Sequence, residues 1–141
     1  MMTQSQLFPI TRELVPEDQR LKITEKIFGM RYVLELEPLI FNITERMAED
    51  YKGGYWDFYS LSNGGFYLSL AEEKTYQVSC ENFFEGNLSA DALSISACLI
   101  SYSHLSFGGD AYAHNYADQF YKLREFMLDH PEAKAILGAT D

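Results

Sequence analysis

The sequence predicts an α+β protein in which a small antiparallel β-sheet packs against about four helices. Two observations carry this prediction. Two aromatic-rich runs flank an Asn-Gly turn near the middle of the chain, and apolar residues recur at helical spacing on both sides of them. A chain of 141 residues has the length of one typical domain, so residues 1–141 are expected to fold as a single domain.

Two helices are expected before the aromatic runs. Pro16 suits a first helical turn and acidic residues follow it, so a helix is predicted near 16–28, with Gly29 as its end. The segment 31–37, RYVLELE, is compatible with a strand or a helix, because it alternates in polarity yet contains good helix formers. A second helix is predicted near 38–50, where apolar residues recur every three or four positions.

The segment 53–70, GGYWDFYSLSNGGFYLSL, predicts a β-hairpin with strands near 55–61 and 65–70. Its six aromatic residues favour a pleated surface, and Asn-Gly within SNGG is a strong signal for a tight turn. The run TYQVSC, near 75–80, is expected to add a third strand. These three strands would form an antiparallel meander.

The C-terminal part of the chain predicts further helices. Ser89 is a good N-cap for a long segment of apolar and small residues that extends to Gly108. A helix that is apolar on all sides is normally buried, so this segment is the predicted central helix. Another helix is expected to begin near Asp110, and PEAKAILG, residues 131–138, to form one last short turn of helix.

The charge of the chain indicates its kind of partner. Eleven Lys and Arg residues face 21 Asp and Glu residues, and the segment 53–110 carries one basic residue, Lys74, against seven acidic ones. Binding of DNA depends on Lys and Arg that neutralise phosphates, so direct binding of nucleic acid is not expected. The expected partner is another protein or a small molecule.

The sequence also predicts a soluble protein of the cytoplasm. No run reaches the roughly 18 apolar residues of a membrane span, and the N-terminal segment lacks an apolar signal region. Cys80 and Cys98 are isolated, which is typical of buried, reduced thiols in a cytosolic protein. No association with membranes is therefore expected.

The residue patterns do not predict catalysis. Asp110, His114 and Asp118 would share one face of a helix, but they match no zincin motif, and a solvated polar face is the favoured interpretation. His104 and His130 are expected to satisfy carbonyl groups at helix ends. No serine stands in a nucleophile elbow and no phosphate-binding loop is present. We therefore expect no catalytic residues, no cofactor and no bound metal.

The hairpin is the remaining candidate for a binding surface. Alternation places Trp56 and Phe58 on one face of the first strand and their neighbours on the other. If the tryptophan faces the helices, the tyrosines of the other face point outward, and tyrosine is frequent at interface hot spots. The predicted partner-binding residues are Tyr55, Asp57, Tyr59 and Asn63. A core on both faces of the hairpin is an equally open interpretation.

The chain also resembles a known family. YKGGYWDFYSLSNGGFYL (51–68), with LEPLIFNITERMAEDY before it, is similar to the signature of the ArdB/KlcA antirestriction family. The resemblance extends to the Ala- and Ser-rich helix after Leu88 and to FGGDAYAHNYADQFYKLREFMLDHPE (107–132), and so over essentially the whole chain. It implies a single α+β domain without a known catalytic site. It also implies a protein of plasmids and other mobile elements that protects incoming DNA from type I restriction enzymes.

Two modes of action are compatible with this resemblance. The leading hypothesis is a non-catalytic protein that contacts another protein, either the type I restriction enzyme or a host factor that controls it. The alternative is an acidic DNA mimic that occupies the DNA-binding cleft of the enzyme. Duplex DNA carries about one charge per 1.7 Å of axis. A net charge of −10, with eleven basic residues interspersed and no acidic residue in 92–109, is far less dense, which favours the first hypothesis.

Overall fold

The computed structural model describes residues 9–109 and 112–141, which contain five strands in two antiparallel sheets and five α-helices. The predicted α+β class is confirmed, with five helices where about four were expected. The strands are β1 (Arg12–Leu14), β2 (Trp56–Leu61), β3 (Phe66–Leu70), β4 (Thr75–Ser79) and β5 (Glu85–Ser89). The helices are α1 (Arg20–Phe28), α2 (Glu37–Met47), α3 (Ala90–Ser106), α4 (Ala113–Met127) and α5 (Ala133–Thr140).

The N-terminal helices follow the sequence signals closely. A short 3-10 helix, Glu17–Gln19, precedes α1, and Gly29 ends α1 with a φ of 63°. The ambiguous segment 31–37 is helical, since Tyr32–Leu36 forms a π-helix that continues into α2. The second helix ends at Met47, three residues before its predicted end, because Ala48 adopts an extended conformation.

The predicted hairpin is present. Strands β2 and β3 pair antiparallel, with Asp57 opposite Ser69 and Tyr59 opposite Tyr67. In the turn, Gly64 has a φ of 88°, a left-handed conformation that favours glycine. Strand β1 pairs with the other edge of β2, so the order in the sheet is β1-β2-β3.

The predicted meander is wrong in one respect. The expected third strand exists as β4, but it pairs with β5 in a separate two-stranded sheet. Its place beside β3 is taken by helix α3, whose side chains bond the outward-facing backbone groups of that strand. The three bonds join Leu70 N–H to Ser94 Oγ (2.8 Å), Cys98 Sγ to Leu68 O (3.6 Å) and Tyr102 Oη to Phe66 O (2.6 Å). A further β-strand therefore cannot pair with β3 at this edge of the sheet.

Helix α3 is the centre of the core, as predicted. Ser89 Oγ accepts the N–H of Ala92 at 3.1 Å, which confirms the N-cap. Helix α3 contacts β3, α2, α4 and α5. The ring of Phe28 connects it to α1, since its centroid lies 6.0 Å from that of Tyr102 and 5.7 Å from that of Tyr116. Aromatic pairs at this separation add to the stability that burial provides.

The C-terminal elements differ from expectation in length. The predicted helix start at Asp110 lies outside the described residues, and α4 is described from Ala113. Helix α5 has eight residues instead of a single turn, and Asn82 Nδ2 donates to its last carbonyls, including that of Gly138 at 3.0 Å. Both cysteines are free thiols, with Cys98 buried and Cys80 half-buried. In the described part of the chain, no helix has the length and apolar character to cross a membrane.

Candidate functional site

The outer face of the hairpin carries three of the predicted binding residues. Trp56 and Phe58 are buried, with exposed fractions of 6% and 7%, so the predicted alternation along β2 is confirmed. Tyr55, directly before the strand, is 51% exposed, while Asp57 and Tyr59 are half-buried. Strand β3 is buried on both faces, so the two-sided core describes β3 and not β2.

Arg20 of α1 holds the exposed end of this face. Its Nη2 donates to the Tyr55 hydroxyl at 2.8 Å, and that hydroxyl donates to the carboxylate of Glu17. The guanidinium carbon lies 4.4 Å from the ring centroid of Phe58 and 5.0 Å from that of Tyr55, which is cation–π geometry. Asp57 Oδ1 lies 4.0 Å from Nη2. The hydrogen bond to Glu17 is the main cause that raises the pKa of Tyr55.

Arg12 of β1 likewise contacts tyrosines, at the other end of the face. Its guanidinium carbon lies 4.1 Å from the ring centroid of Tyr59, and its Nη1 donates to the Tyr67 hydroxyl at 2.7 Å. The rings of Tyr59 and Tyr67 stack with centroids 5.5 Å apart. Two arginines from the N-terminal segment therefore fix both tyrosines of the outer face against the sheet.

Behind the tyrosine pair, Asp91 accepts four hydrogen bonds. The donors are Ser69 Oγ at 2.6 Å, Tyr67 Oη at 2.9 Å, His130 Nε2 at 3.0 Å and Arg12 Nη1 at 3.1 Å. Burial acts to raise the pKa of this carboxyl, but the hydrogen bonds, led by that of His130, and the arginine charge outweigh it. They lower the pKa of Asp91 to about 2. Asp91 is thus an ionised centre that joins β1, β3, α3 and the segment after α4.

The second ring nitrogen of His130 extends this network. Nδ1 accepts a hydrogen bond from the backbone N–H of Glu132 at 2.9 Å. The ring hydrogen therefore lies on Nε2, which donates a hydrogen bond to Asp91. The Glu132 carboxylate accepts the N–H and the hydroxyl of Ser89 at 2.9 and 2.5 Å. The expectation that the His130 ring satisfies helix-end carbonyls was therefore wrong. The ring connects the start of α3 to the α4–α5 connection.

Asn63 has a different position from the other three predicted residues. Its Nδ2 donates to the carbonyl of Lys122 at 3.0 Å, and its Oδ1 accepts the N–H of Gly65 at 3.0 Å. Both polar groups of the side chain are thus engaged within the molecule. They anchor the hairpin turn to helix α4, and a role of Asn63 in binding a partner stays a prediction.

Two of the three polar residues that were considered for catalysis, His114 and Asp118, have exposed side chains. His114 and Asp118 lie on the exposed side of α4, where Asp118 Oδ2 pairs with Lys122 Nζ at 2.8 Å, and Asp110 lies outside the described residues. Among residues 9–109 and 112–141, no three His, Cys, Asp or Glu side chains are grouped so that they could hold a metal ion. The geometry of this face matches the favoured interpretation of a solvated polar surface.

The residues that support the outer face carried no motif in the sequence. Arg12 and Asp91 are 79 residues apart, and Arg20 and Tyr55 are 35 apart. The available signal was the position of Asp91 in the first turn of α3, where a carboxylate interacts favourably with the helix dipole. Fold and site together define an α+β protein in which a partly buried ionic network supports a partly exposed surface of tyrosine and arginine.

Comparisons with known proteins identify the family. The chain matches the family model described as antirestriction protein over residues 49–141. It is 42% identical over 145 residues to Antirestriction protein KlcA of Escherichia coli, with both chains covered completely. It is 39% identical over 138 residues to Uncharacterized protein YafX of Escherichia coli strain K12, and the aligned region covers 95% of this chain and 90% of YafX. The chain belongs to the antirestriction protein family.

A solved structure from work on the KlcA and ArdB proteins has the same fold. It matches this chain with a TM-score of 0.89 and 38% identity, over the full length of both chains. The two proteins are described as having a novel fold and antirestriction activity against type I DNA restriction systems in vivo but not in vitro. The predicted membership of the ArdB/KlcA family is thereby confirmed.

Proposed function

We propose that this chain relieves type I DNA restriction by contacting a protein, without catalysis. Its likeness to KlcA over the full length of both chains supports the activity. The observation that carries the mode of action is the outer face of β2, where Tyr55, Asp57 and Tyr59 are accessible and held by Arg12 and Arg20. The proposed place of action is the cytoplasm, where the product of a plasmid or other mobile element meets the restriction system.

The geometry of this face suits recognition of a protein. Tyrosine and arginine are enriched at the centres of protein interfaces, where they combine large area with hydrogen-bonding groups. Cation–π and hydrogen-bond contacts already fix Tyr55 and Tyr59 in the free molecule. Less side-chain entropy is then lost on binding. In this proposal Asn63 acts indirectly, because it anchors the turn that presents the face.

The alternative of DNA mimicry has less support from the charges. Several carboxylates sit beside cations instead of forming an uninterrupted acidic array. The pairs are Asp91 with Arg12 (3.1 Å), Asp118 with Lys122 (2.8 Å) and Asp57 with Arg20 (4.0 Å). A mimic that fills the DNA cleft should also inhibit the purified enzyme. KlcA and ArdB act in vivo but not in vitro, which favours a target that the purified reaction lacks, such as a host factor.

A phage-plating assay tests the proposed surface. The assay uses cells that have a type I restriction system. In these cells, the double variant Tyr55→Ala, Asp57→Ala should reduce the plating efficiency of unmodified phage by about tenfold or more relative to the parent chain, which is the effect of losing an interface hot spot. Tyr121→Ala, at a tyrosine on α4 that is 69% exposed and thus more accessible than Tyr55, should protect normally. Circular dichroism checks that all variants are folded. Full protection by a folded double variant would exclude the hairpin face as the working surface.

A cleavage assay with purified type I enzyme separates the two modes of action. The proposal expects no competition between this protein and DNA at any salt concentration. Inhibition that weakens as salt rises would instead support mimicry, because screening reduces the attraction between an acidic surface and a basic cleft.

A further inference from the structure

The two edges of the three-stranded sheet differ in how their backbone groups are satisfied. The outward groups of β3 bond to side chains of α3, as described above. In the part of the chain that the structure describes, β1 has its main contacts with β2, and its three residues are all exposed. Unpaired N–H and C=O groups at a sheet edge are a template for another strand. Among residues 9–109 and 112–141, the sheet is thus covered at the β3 edge and open at the β1 edge.

The register identifies the free groups of the open edge. The bonds on either side of β1 run from Val15 N–H to Phe58 O (2.8 Å) and from Ser62 N–H to Thr11 O (2.9 Å). Because hydrogen-bonding direction alternates along an antiparallel strand, Arg12 and Leu14 direct their N–H and C=O groups away from β2. Within residues 9–109 and 112–141, no hydrogen bond reaches these four groups. Backbone N–H and C=O groups that recur every second residue match the hydrogen-bonding groups of an extended peptide.

A groove between β1 and α1 lies beside this edge. Its volume is about 290 Å³. The lining residues are Glu13, Leu14, Val15, Pro16, Gln19, Lys22, Ile23, Lys26 and Ser60. Val15 and Ile23 give the groove an apolar base, onto which an incoming strand could place every second side chain.

The charge of this groove is opposite to that of the molecule. Lys22 and Lys26 stand at i and i+4 on α1, are exposed, and make no ion pair with any described residue. Glu13 is the one carboxylate among the lining residues, so the groove carries a net positive charge on a chain with a net charge of −10. An incoming strand with carboxylates is therefore favoured over a basic or neutral one.

A second copy of the chain fits this edge poorly. Two β1 strands that pair about a twofold axis can place Glu13 opposite Glu13 or Arg12 opposite Arg12, and both arrangements set like charges against each other. The remaining register, with Leu14 opposite its copy, sets Arg12 opposite Pro16, which has no N–H to donate. The edge therefore discriminates against self-pairing.

We propose that the open edge of β1, together with the lysine-lined groove beside it, binds an extended acidic segment of a partner protein by strand addition. The backbone groups of Arg12 and Leu14 pair with the segment, Lys22 and Lys26 bind its carboxylates, and Val15 and Ile23 contact its apolar side chains. This mode of recognition combines affinity from main-chain hydrogen bonds with specificity from alternate side chains. The inference rests on the proposed function, since it specifies the chemistry of the protein that is contacted.

Binding of a defined peptide tests the chemistry directly. The probe is a fluorescein-labelled peptide of alternating valine and glutamate, and fluorescence anisotropy measures its binding to the full chain. We expect saturable binding that weakens with salt, and much weaker binding of a peptide of alternating valine and lysine. Equal binding of both peptides, or no binding up to about 1 mM, would overturn the proposal.

Two pairs of matched variants locate the binding site. Leu14→Pro removes one N–H on the open edge but no bond to β2, a position where proline is tolerated, and should weaken binding by about tenfold. Leu14→Ala keeps that N–H but lacks the same leucine side chain, so the loss of the N–H is measured as the difference in binding between Leu14→Pro and Leu14→Ala. Lys22→Glu with Lys26→Glu should abolish binding, whereas the same change at the exposed Lys52 and Lys134 should not. Undiminished binding by Leu14→Pro would refute strand addition.

The plating assay separates this inference from the proposed function. Lower protection by Leu14→Pro than by Leu14→Ala supports both, together with loss in the Lys22→Glu, Lys26→Glu variant and retention in the Lys52→Glu, Lys134→Glu control. If the parent chain protects and folded Leu14→Pro protects equally, the edge site is refuted while the proposed function stands. If the parent chain gives no protection, the proposed function fails whatever the peptide result. A dimer in sedimentation that Leu14→Pro dissociates would overturn the acidic partner in favour of a second copy.

Discussion

Replacement of Asp91 by asparagine removes the charge at the centre of the network that supports the outer face. Asparagine has nearly the same shape, so the change leaves packing in place. It deprives Arg12 and His130 of an ionised acceptor, which lies 3.1 and 3.0 Å from them in the parent protein. Hydrogen bonds to an ionised group are stronger than neutral ones. The expected result is a lower free energy of unfolding at neutral pH.

The pKa of Asp91 gives the magnitude. It is lowered from 3.8 to about 2, and each unit corresponds to roughly 1.4 kcal/mol, so the ionised carboxylate contributes about 2 kcal/mol. The side chain is 28% exposed, so solvent screening reduces this value little. Because the pKa is lower in the folded state, the stabilisation is fully present well above pH 3.8. It is lost as pH falls through 3.8 toward 2, and about half remains at pH 3.

Urea unfolding followed by the fluorescence of the buried Trp56 measures this contribution. At pH 7, Asp91→Asn should unfold with a free energy about 2 kcal/mol below that of the parent, and at pH 3 the difference should shrink to about 1 kcal/mol. Asp118→Asn, at an exposed ion pair on α4, should cost less than about 0.5 kcal/mol. Equal costs for the two variants at pH 7, or a cost for Asp91→Asn that is the same at both pH values, would refute the assigned role.

Three further substitutions test other parts of the structure by the same unfolding measurement. Phe83 is 94% exposed with a φ of 72°, so Phe83→Asn should raise stability by about 1 kcal/mol, and a decrease would contradict the strain. Tyr102→Phe leaves the buried carbonyl of Phe66 without its donor and should cost about 1–3 kcal/mol, whereas Tyr121→Phe at the surface should be neutral. Asn63→Ala removes both turn bonds and should cost about 1–2 kcal/mol. Protection by this variant below its melting temperature should fall less than in the Tyr55→Ala, Asp57→Ala variant, because Asn63 anchors the turn, and an equal loss in a folded protein would contradict this indirect role.

Local signals account for the parts of the fold that the sequence predicts well. The strands expected near 55–61 and 65–70 are Trp56–Leu61 and Phe66–Leu70. The Asn-Gly turn and the alternation of buried and exposed residues both act within a few positions, so they are visible without knowledge of the tertiary structure. The cap at Ser89 is similar, because it depends on a side chain and an N–H three residues away.

The strands β1 and β5 show where such signals end. Strand β1 has three residues, all exposed, with charged side chains at Arg12 and Glu13. Strand β5 contains Gly86 and Asn87, which are disfavoured in sheets. Their own propensities do not make them strands. Each forms because the backbone of a better strand, β2 or β4, offers partners for its hydrogen bonds.

Local signals in the sequence likewise account for one part of the candidate site and not for the rest. Alternation alone indicates that Tyr55, Asp57 and Tyr59 lie opposite the buried Trp56, and the structure agrees. The arginines that hold these three residues lie 35 to 47 positions away from them, and Asp91 connects segments up to 79 positions apart. Such contacts follow from the packing of helices on the sheet. No spacing in the sequence encodes them.

The closure of one sheet edge by α3 has a consequence for the other. Ser94 Oγ donates to the carbonyl of Ala90 at 2.6 Å and accepts the N–H of Leu70 at 2.8 Å, so a serine that would ordinarily bond only within its helix also ends the sheet. Of the two sheet edges in the described residues, β3 is therefore blocked, which leaves β1 for a partner strand. There, Leu14 lies opposite Tyr59 in the register, on the same face. A strand added to β1 would continue the tyrosine and arginine surface, so the two proposed binding surfaces, the β1 edge and the outer face of the hairpin, would be adjacent.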